Sequence, residues 1–361
     1  MNPESTQNTK RKNTEVETLD SVKSYYGQFL KTNSDLQTSA CCTAEAMPVH
    51  LRPLLKEIHD EVQEKFYGCG SPIPPELEGK TVLDLGSGSG RDCFLLSKLV
   101  GAKGKVIGVD MTDEQLAVAR KHLDYHTQKF GYTKPNVEFK QAYIEDLESA
   151  GIATGSVDVV VSNCVLNLSP AKSRVFAEIM RVLKPGGELY FSDVFADRRI
   201  PTHLAEDPVL LGECLGGAMY IEDFRRLMAD KGCNDFRIVS KSKLELQTGA
   251  IQKQIGMVNF YSMTIRAFKM DLEDRCEDFG QIAYYMGTVP ETPHAFILDD
   301  HHLFKTGQPM LVCSNTAKML SDSRYQKHFK VVGETKTHYG IFDCGPDGSA
   351  ASSNGMPAAC C

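Results

Sequence analysis

Apolar residues first recur at helical spacing between Leu19 and Leu30, where Val22, Tyr25, Tyr26 and Phe29 share one face. The segment before them, 1–18, is polar and charged with almost nothing to bury, and reads as a disordered N-terminus. A second helical stripe runs from His50 to Tyr67, carried by Leu51, Leu54, Leu55, Ile58, Val62 and Phe66, until the Gly and Pro of 68–75 break it. Residues 19–79 therefore read as an N-terminal helical cap. From Lys80 the pattern becomes strand, loop, helix, repeated. Short apolar strands are expected at Thr81–Leu85, Gly104–Asp110, Val137–Gln141, Val157–Ser162 and Glu188–Phe191, with helices at Arg91–Val100, Thr112–Phe130 and Ala171–Leu183. Val157–Ser162 is almost wholly β-branched, as a strand covered on both faces should be. Lys184-Pro-Gly-Gly187 is a stop and turn signal. Strands alternating with helices predict a doubly wound, mostly parallel α/β sheet over 80–243. A further helix is expected at Tyr220–Lys231 and a strand at Phe236–Ser240. From about Leu244 the alternation stops, which predicts a separate, smaller α+β unit over 244–342. The Gly, Ala, Ser and Pro of 343–361 predict a disordered tail ending in Cys360-Cys361.

Bulk composition changes this picture little. The net charge of −7 argues against a nucleic-acid partner, which would favour a basic stripe. No apolar run is long enough to cross a bilayer, and the first 20 residues resemble neither a secretory signal nor a transit peptide. The expected location is the cytosol, and nothing in the sequence demands more than a monomer. The twelve cysteines are unusual. A reducing compartment disfavours a disulfide framework, and no Cys-x-x-Cys or Cys/His spacing suggests structural zinc. Buried packing is the default role for any one of them.

The loop after the first strand reads Asp84-Leu-Gly86-Ser-Gly88-Ser-Gly90, and Asp110 ends the second strand. In this class of sheet, ligands bind beyond the carboxyl ends of the strands. Gly86, Gly88 and Gly90 let backbone approach a ligand, and Asp110 suits two ribose hydroxyls. A dinucleotide fingerprint would read Gly-x-Gly-x-x-Gly, and Asp84 would repel a pyrophosphate. The same Asp84 suits a methionyl ammonium. The loop, the two carboxyls and the Lys-Pro-Gly-Gly turn point to S-adenosylmethionine and to a Rossmann-like class I methyltransferase sheet. Further cofactor contacts are expected from Tyr67, Met111, Ile144, Glu145 and Asn163: Ile144 covers adenine, Glu145 meets its amine, and Asn163 ends the fourth strand beside the reacting centre.

Longer motifs go further. Arg91-Asp92-Cys93 after the glycine loop, Val161-Ser-Asn-Cys164, Gly187-Glu-Leu-Tyr-Phe-Ser-Asp193 and Gly212-Glu-Cys214-Leu-Gly-Gly-Ala218 resemble the arsenite methyltransferase family. So do Tyr25-Tyr-Gly27, Leu36-Gln-Thr38 before Cys41, and Tyr67-Gly-Cys69-Gly70. The likeness runs from about residue 20 to 340. It implies that trivalent arsenic is held by thiolates, with Cys164 and Cys214 as the principal ligands and Cys69 and Cys41 joining in loading and redox steps. Cys42 adjoins Cys41; the spacing from Leu36-Gln-Thr38 favours Cys41. It also implies that arsenite arrives as a glutathione conjugate. Thiolate is the ligand a soft centre prefers. The remaining cysteines, Cys93, Cys233, Cys276, Cys313 and Cys344, read as buried packing.

Thiol-bound trivalent arsenic keeps a lone pair and bears no proton, so methyl transfer to it needs alignment rather than a general base. The transfer oxidises arsenic formally, and two thiols closing to a disulfide return it to the trivalent state; glutathione or thioredoxin then restores them. Mono- and dimethylated arsenicals would result, as in detoxification. Two other readings share the glycine loop: a methyltransferase for a small organic acceptor, and a non-catalytic thiol-rich metalloid-binding protein. Neither accounts for the thiols and the intact loop together.

Overall fold

Five apolar segments pair side by side as the parallel core of one sheet: β1 (Thr81–Leu85), β2 (Lys105–Asp110), β3 (Val137–Gln141), β4 (Val157–Asn163) and β5 (Leu183–Ala196). The computed structural model describes residues 15–29, 47–48, 50–68, 70–245 and 249–344. Cys41, Cys42, Cys69, Cys360 and Cys361 lie outside the described residues, as does most of the expected C-terminal tail. Three further strands complete the sheet: β6 (Met219–Tyr220), β7 (Phe236–Lys243) and β8 (Phe260–Phe268), giving the order β3-β2-β1-β4-β5-β8-β7 with β6 beside the end of β5. Alternate residues of each central strand feed opposite layers. Leu83, Leu85 and Val160 pack with Phe176, Ile179 and Phe191 on one side. Val82, Val159 and Val161 pack with Phe94, Leu95 and Leu116 on the other.

β8 corrects the boundary expected at residue 244. It runs antiparallel between β5 and β7, with Glu188 opposite Phe268 and Ala196 opposite Phe260. An antiparallel neighbour needs no crossover helix, so the alternation that marks the rest of the sheet is absent from its sequence. β5 is also longer than the expected Glu188–Phe191. Leu183 pairs with Val157, Glu188 with Val159, and the Lys-Pro-Gly-Gly turn is looped out between them.

The helices depart from expectation at their ends and joints. Helix α1 covers 15–24 and continues as a π turn at Tyr25–Phe29, so residues 15–18 are helical rather than disordered. Glu15 is tied there by an ion pair to Arg174 at 2.9 Å. The stripe from His50 to Tyr67 forms two short helices, α2 (Arg52–Leu55) and α3 (Asp60–Glu64). His59 is extended between them and its Nδ1 accepts from Glu61 N, so it caps α3 instead of continuing α2. After α4 (Arg91–Val100), the expected Thr112–Phe130 helix is likewise split at His122 into α5 (Asp113–Lys121) and α6 (Leu123–Lys129). α7 (Lys172–Val182), α8 (Thr202–Ala205), α9 (Pro208–Gly212), α10 (Ile221–Ala229) and α11 (Gly249–Ile255) follow. Among the described residues, no helix is long and apolar enough to cross a membrane.

Beyond β8 the chain builds a smaller unit. It contains β9 (Glu277–Asp278), β10 (Gln281–Tyr285), β11 (Ala295–Ile297), β12 (Leu303–Lys305), β13 (Pro309–Val312), α12 (Ser314–Ser321), β14 (Phe329–Val332) and β15 (Gly340–Ile341). β10 is central in an antiparallel β13-β10-β14 sheet, and Tyr285, Phe296, Phe304, Tyr325 and Phe329 fill the core beneath it together with Phe268 from β8.

Candidate active site

The loop between β1 and α4 is pinned to the tip of β2. Gly86 N and Ser87 N both donate to Val109 O, at 2.8 and 3.0 Å. Gly88 N donates to Asp110 Oδ2 at 2.9 Å, and Thr112 N to Asp110 Oδ1 at 2.8 Å. Each carboxylate oxygen keeps acceptor capacity for a ligand. Gly88 has a φ of 51°, and a Cβ there would point into open space, 4.0 Å from Gln115 Oε1. Backbone at this point faces a cavity with no side chain in the way.

That cavity encloses about 900 Å³, counted with the solvent at its mouth. Tyr67, Asp84, Gly86, Gly88, Asp110, Met111, Ile144, Glu145 and Asn163 all line it. Gly90 does not: it starts α4 with its face against Phe139, Ala119 and Phe94. Asn163 lines the wall with its amide committed elsewhere. Its Nδ2 donates to Gly70 O at 2.9 Å and Asp92 Oδ2 at 3.0 Å, and its Oδ1 accepts from Gly70 N at 3.2 Å. The sequence reading missed Leu19, Val22 and Tyr26, which bring α1 and its π turn over the cavity, and Gln115 on α5. The Tyr25-Tyr26 pair was the one available signal. A helix docked across a cavity mouth leaves no spacing rule in the sequence.

Three buried acceptors in the wall have no hydrogen-bond partner among the described residues: Ser87 Oγ, Gln115 Oε1 and Glu145 Oε2. Buried polar atoms are normally paired, so these mark places where a ligand bonds. Glu145 Oε1 is fixed by Ser169 Oγ at 2.5 Å, which leaves Oε2 as the ligand-facing acceptor. The charge points the same way. Burial, and then the neighbouring Asp92, push the Asp84 carboxyl up to about 8, although Cys93 Sγ donates to it at 3.2 Å. Burial also raises Asp110. Arg91 is spent on Asp92 at 2.7 Å. A wall with four carboxyls, Asp84, Asp92, Asp110 and Glu145, against one lysine, Lys65, suits a cationic ligand and resists a pyrophosphate.

Cys164 also lines this cavity, one residue past β4. Cys214 arrives from the other side, two residues past α9. Their sulfurs and a carboxylate oxygen of Asp193 all lie within 4.8 Å of one another, and all three residues are buried. Both cysteines have left-handed backbones, with φ of 56° and 65°. A residue with a Cβ adopts that conformation only where the surroundings over-determine it. Here Cys164 N donates to Ser192 O at 2.8 Å, Cys214 N to Leu211 O at 3.1 Å, and Cys214 Sγ to Cys164 O at 3.0 Å. The glycines around Cys214 serve the fold rather than the ligand: a Cβ on Gly217 would fall 2.0 Å from Asn167 O. Cys164 is disulfide-bonded, whereas Cys214 is in the thiol state. Burial raises Asp193 to about 7, against amide donors from Val194 and Asn167. Burial lowers Lys172 to about 8; its ammonium donates to Asn167 O and Ser169 O at 3.0 and 2.9 Å.

The other cysteines divide. Cys93, Cys233 and Cys276 are buried free thiols, and Cys344 is half-buried rather than buried. Cys313 does more than pack. It caps α12, accepting from Thr316 N at 3.4 Å, and lies 3.8 Å from Arg237 Nη2. A hydrogen bond from Cys276, foremost, lowers its thiol to about 4. His302 is buried against Asp299 and serves the fold.

Known proteins match both units. Residues 76–232 match a methyltransferase domain family, and residues 280–351 match the arsenite methyltransferase C-terminal domain family. An arsenite methyltransferase of Aquipseudomonas alcaligenes is 53% identical over 328 residues, covering 90% of this chain and 94% of that one. The Homo sapiens arsenite methyltransferase is 44% identical over 87% of this chain and 84% of its own. The crystal structure of an arsenic(III) S-adenosylmethionine methyltransferase from Chlamydomonas reinhardtii superposes with a TM-score of 0.80 at 50% identity, covering 82% of this chain and 100% of that one. With likeness of this extent across both units, the chain belongs to the arsenite methyltransferase family.

Proposed function

We propose that this protein transfers methyl groups from S-adenosylmethionine to trivalent arsenic held by Cys164 and Cys214, giving mono- and dimethylated arsenicals. The observation that carries the reading is the convergence of these two sulfurs, 50 residues apart in sequence, within 4.8 Å of one another, with Cys164 on the wall of a cation-seeking cavity. Asp84 would hold the methionyl ammonium, Asp110 the ribose hydroxyls and Glu145 Oε2 the adenine amine, with Ile144 and Met111 against the ring. Tyr67, Gly86 and Gly88 supply the remaining wall, and Gly90 sets the start of α4 behind it.

Bound there, S-adenosylmethionine supplies an electrophilic methyl group for the arsenic lone pair. The chain's own part is to grip arsenic through two sulfurs on rigid backbone and to exclude water. No group need remove a proton from the attacking atom. Cys164 must be in the thiol state to ligate, so its disulfide has to be opened first. Glutathione or thioredoxin would donate the two electrons, both here and after each transfer. The roles of Cys69 and Cys41 in loading and redox rest on the family resemblance.

The deciding experiment incubates the enzyme with arsenite, glutathione and methyl-labelled cofactor and separates the arsenic species. Parent enzyme should yield methylated products. Cys164→Ser and Cys214→Ser should each lose turnover while binding S-adenosylhomocysteine normally. Unchanged turnover in either variant would remove that sulfur from the site.

A further inference from the structure

The segment 70–77 contains neither helix nor strand, yet both of its ends are held. It begins three positions past Tyr67, the last of the cavity-wall residues Lys65, Phe66 and Tyr67. At its start, Gly70 is gripped through both backbone polar groups by Asn163 at the tip of β4. At its far end the partners come from the C-terminal unit. Arg324 Nη2 donates to Pro75 O at 3.1 Å, and Arg324 Nε to Glu76 O at 3.1 Å. The Glu76 carboxylate takes Lys327 at 2.6 Å and His328 at 2.9 Å. The same Arg324 side chain pairs with Glu188 on β5 and donates to Tyr325 Oη at 2.5 Å. One guanidinium thus joins the segment, the central sheet and the C-terminal unit.

Glu76 sits in the left-handed region at a φ of 60°, which a residue with a Cβ leaves unless its neighbours hold it. The Lys327 ion pair, the His328 contact and the fork on the adjacent carbonyls are those neighbours. Only five residues separate Gly70 from Glu76, so releasing the far end slackens the near end. Asn163 would then hold Gly70 against a loose strap, and the wall at Lys65–Tyr67 would lose its register with the cavity.

We infer that Arg324 is a positioning residue for the cofactor pocket: the C-terminal unit fastens the segment 70–76 and so sets the wall that precedes it. This gives the C-terminal unit a part in cofactor binding although none of its described residues lines the cavity. The inference rests on the cavity being the cofactor pocket, and not on the arsenic chemistry.

The test measures S-adenosylhomocysteine binding by calorimetry, with thermal melts alongside. Arg324→Lys keeps a cation against Glu188 but loses the planar fork. It should retain its melting temperature within a few degrees while affinity falls about three- to tenfold, a coupling of ordinary size between distant sites. Its KM for S-adenosylmethionine should rise in step, with kcat at saturation preserved. Glu76→Gln, which removes the carboxylate that Lys327 and His328 meet and leaves Arg324 intact, should weaken binding in the same direction. Unchanged affinity in both variants would overturn the inference, as would a fallen melting temperature with normal affinity in the folded protein. Asp110→Ala is the control for the pocket itself: if it binds normally, the pocket reading fails instead.

Discussion

In the proposed site, Asp84 is the residue that would choose the ligand. It is 3% exposed on β1, and burial and the adjacent Asp92 hold its carboxyl up to about 8. The folded protein therefore keeps a proton that the unfolded chain releases near 4. Its stabilising contribution is present below about pH 4 and is lost as pH rises through 8. A bound ammonium reverses the preference, because the ion pair favours the carboxylate. Binding should thus release one proton between about pH 6 and 7.5, below the range where the ligand's own amine titrates. Affinity for S-adenosylhomocysteine should rise over that interval, approaching tenfold per pH unit, and calorimetry in buffers of different ionisation enthalpy should detect the proton. Asp84→Asn should bind weakly with a flat profile; a pH-independent parent would show that Asp84 is already ionised. Asp84 and Asp110 were legible from sequence because one precedes the glycine loop and the other ends the next strand. The nearness of Cys164 to Cys214 was not, since it depends on where the chain carries Cys214 past α9 relative to the tip of β4. Only the family resemblance paired them.

At the scale of elements, periodicity located strands better than helix joints. β1 and β3 fall where apolar runs place them, because a buried strand leaves an uninterrupted signature. The helix breaks at His59 and His122 were invisible, since an unbroken apolar stripe continues through both. Tertiary contacts make the breaks. His59 and His122 stack at 3.8 Å, and His126 stacks on Phe94 at 3.6 Å while its Nε2 accepts from His59 N at 3.2 Å. Burial lowers His126 to about 4. The folded state therefore excludes a proton that the unfolded chain takes up near 6.5. The stability His126 confers is complete above pH 6.5 and is lost as pH falls toward 4. Urea melts between pH 7 and 5 should show the parent weakening more steeply than His126→Gln. Parallel curves would mean that folding does not shift His126.

At the scale of the molecule, the question is what makes two units behave as one. The antiparallel strand β8 hands its end, Phe268, to the core of the C-terminal unit, so the two hydrophobic cores meet along a single strand. Across that seam lies Glu188, fully buried, with Arg266 on β8 and Arg324 of the C-terminal unit on its two oxygens. Arg266 also donates to Leu298 O at 2.6 Å, and Tyr325 Oη to Glu188 Oε2 at 3.2 Å. A buried group of this kind adds little if replaced as a whole by apolar residues, but losing the one anion strands two cations in a low-dielectric core. Glu188→Gln should therefore destabilise by about 3–5 kcal/mol. The form of the loss matters more than its size. If Glu188 is the joint, the variant should unfold in two calorimetric steps, the C-terminal unit first, where the parent unfolds in one. Because Arg324 would be freed from β5 in the same step, cofactor affinity should drop in the variant before the central sheet melts. A single transition at lower temperature, with affinity unchanged up to it, would place the coupling in the shared apolar strand rather than in the charge.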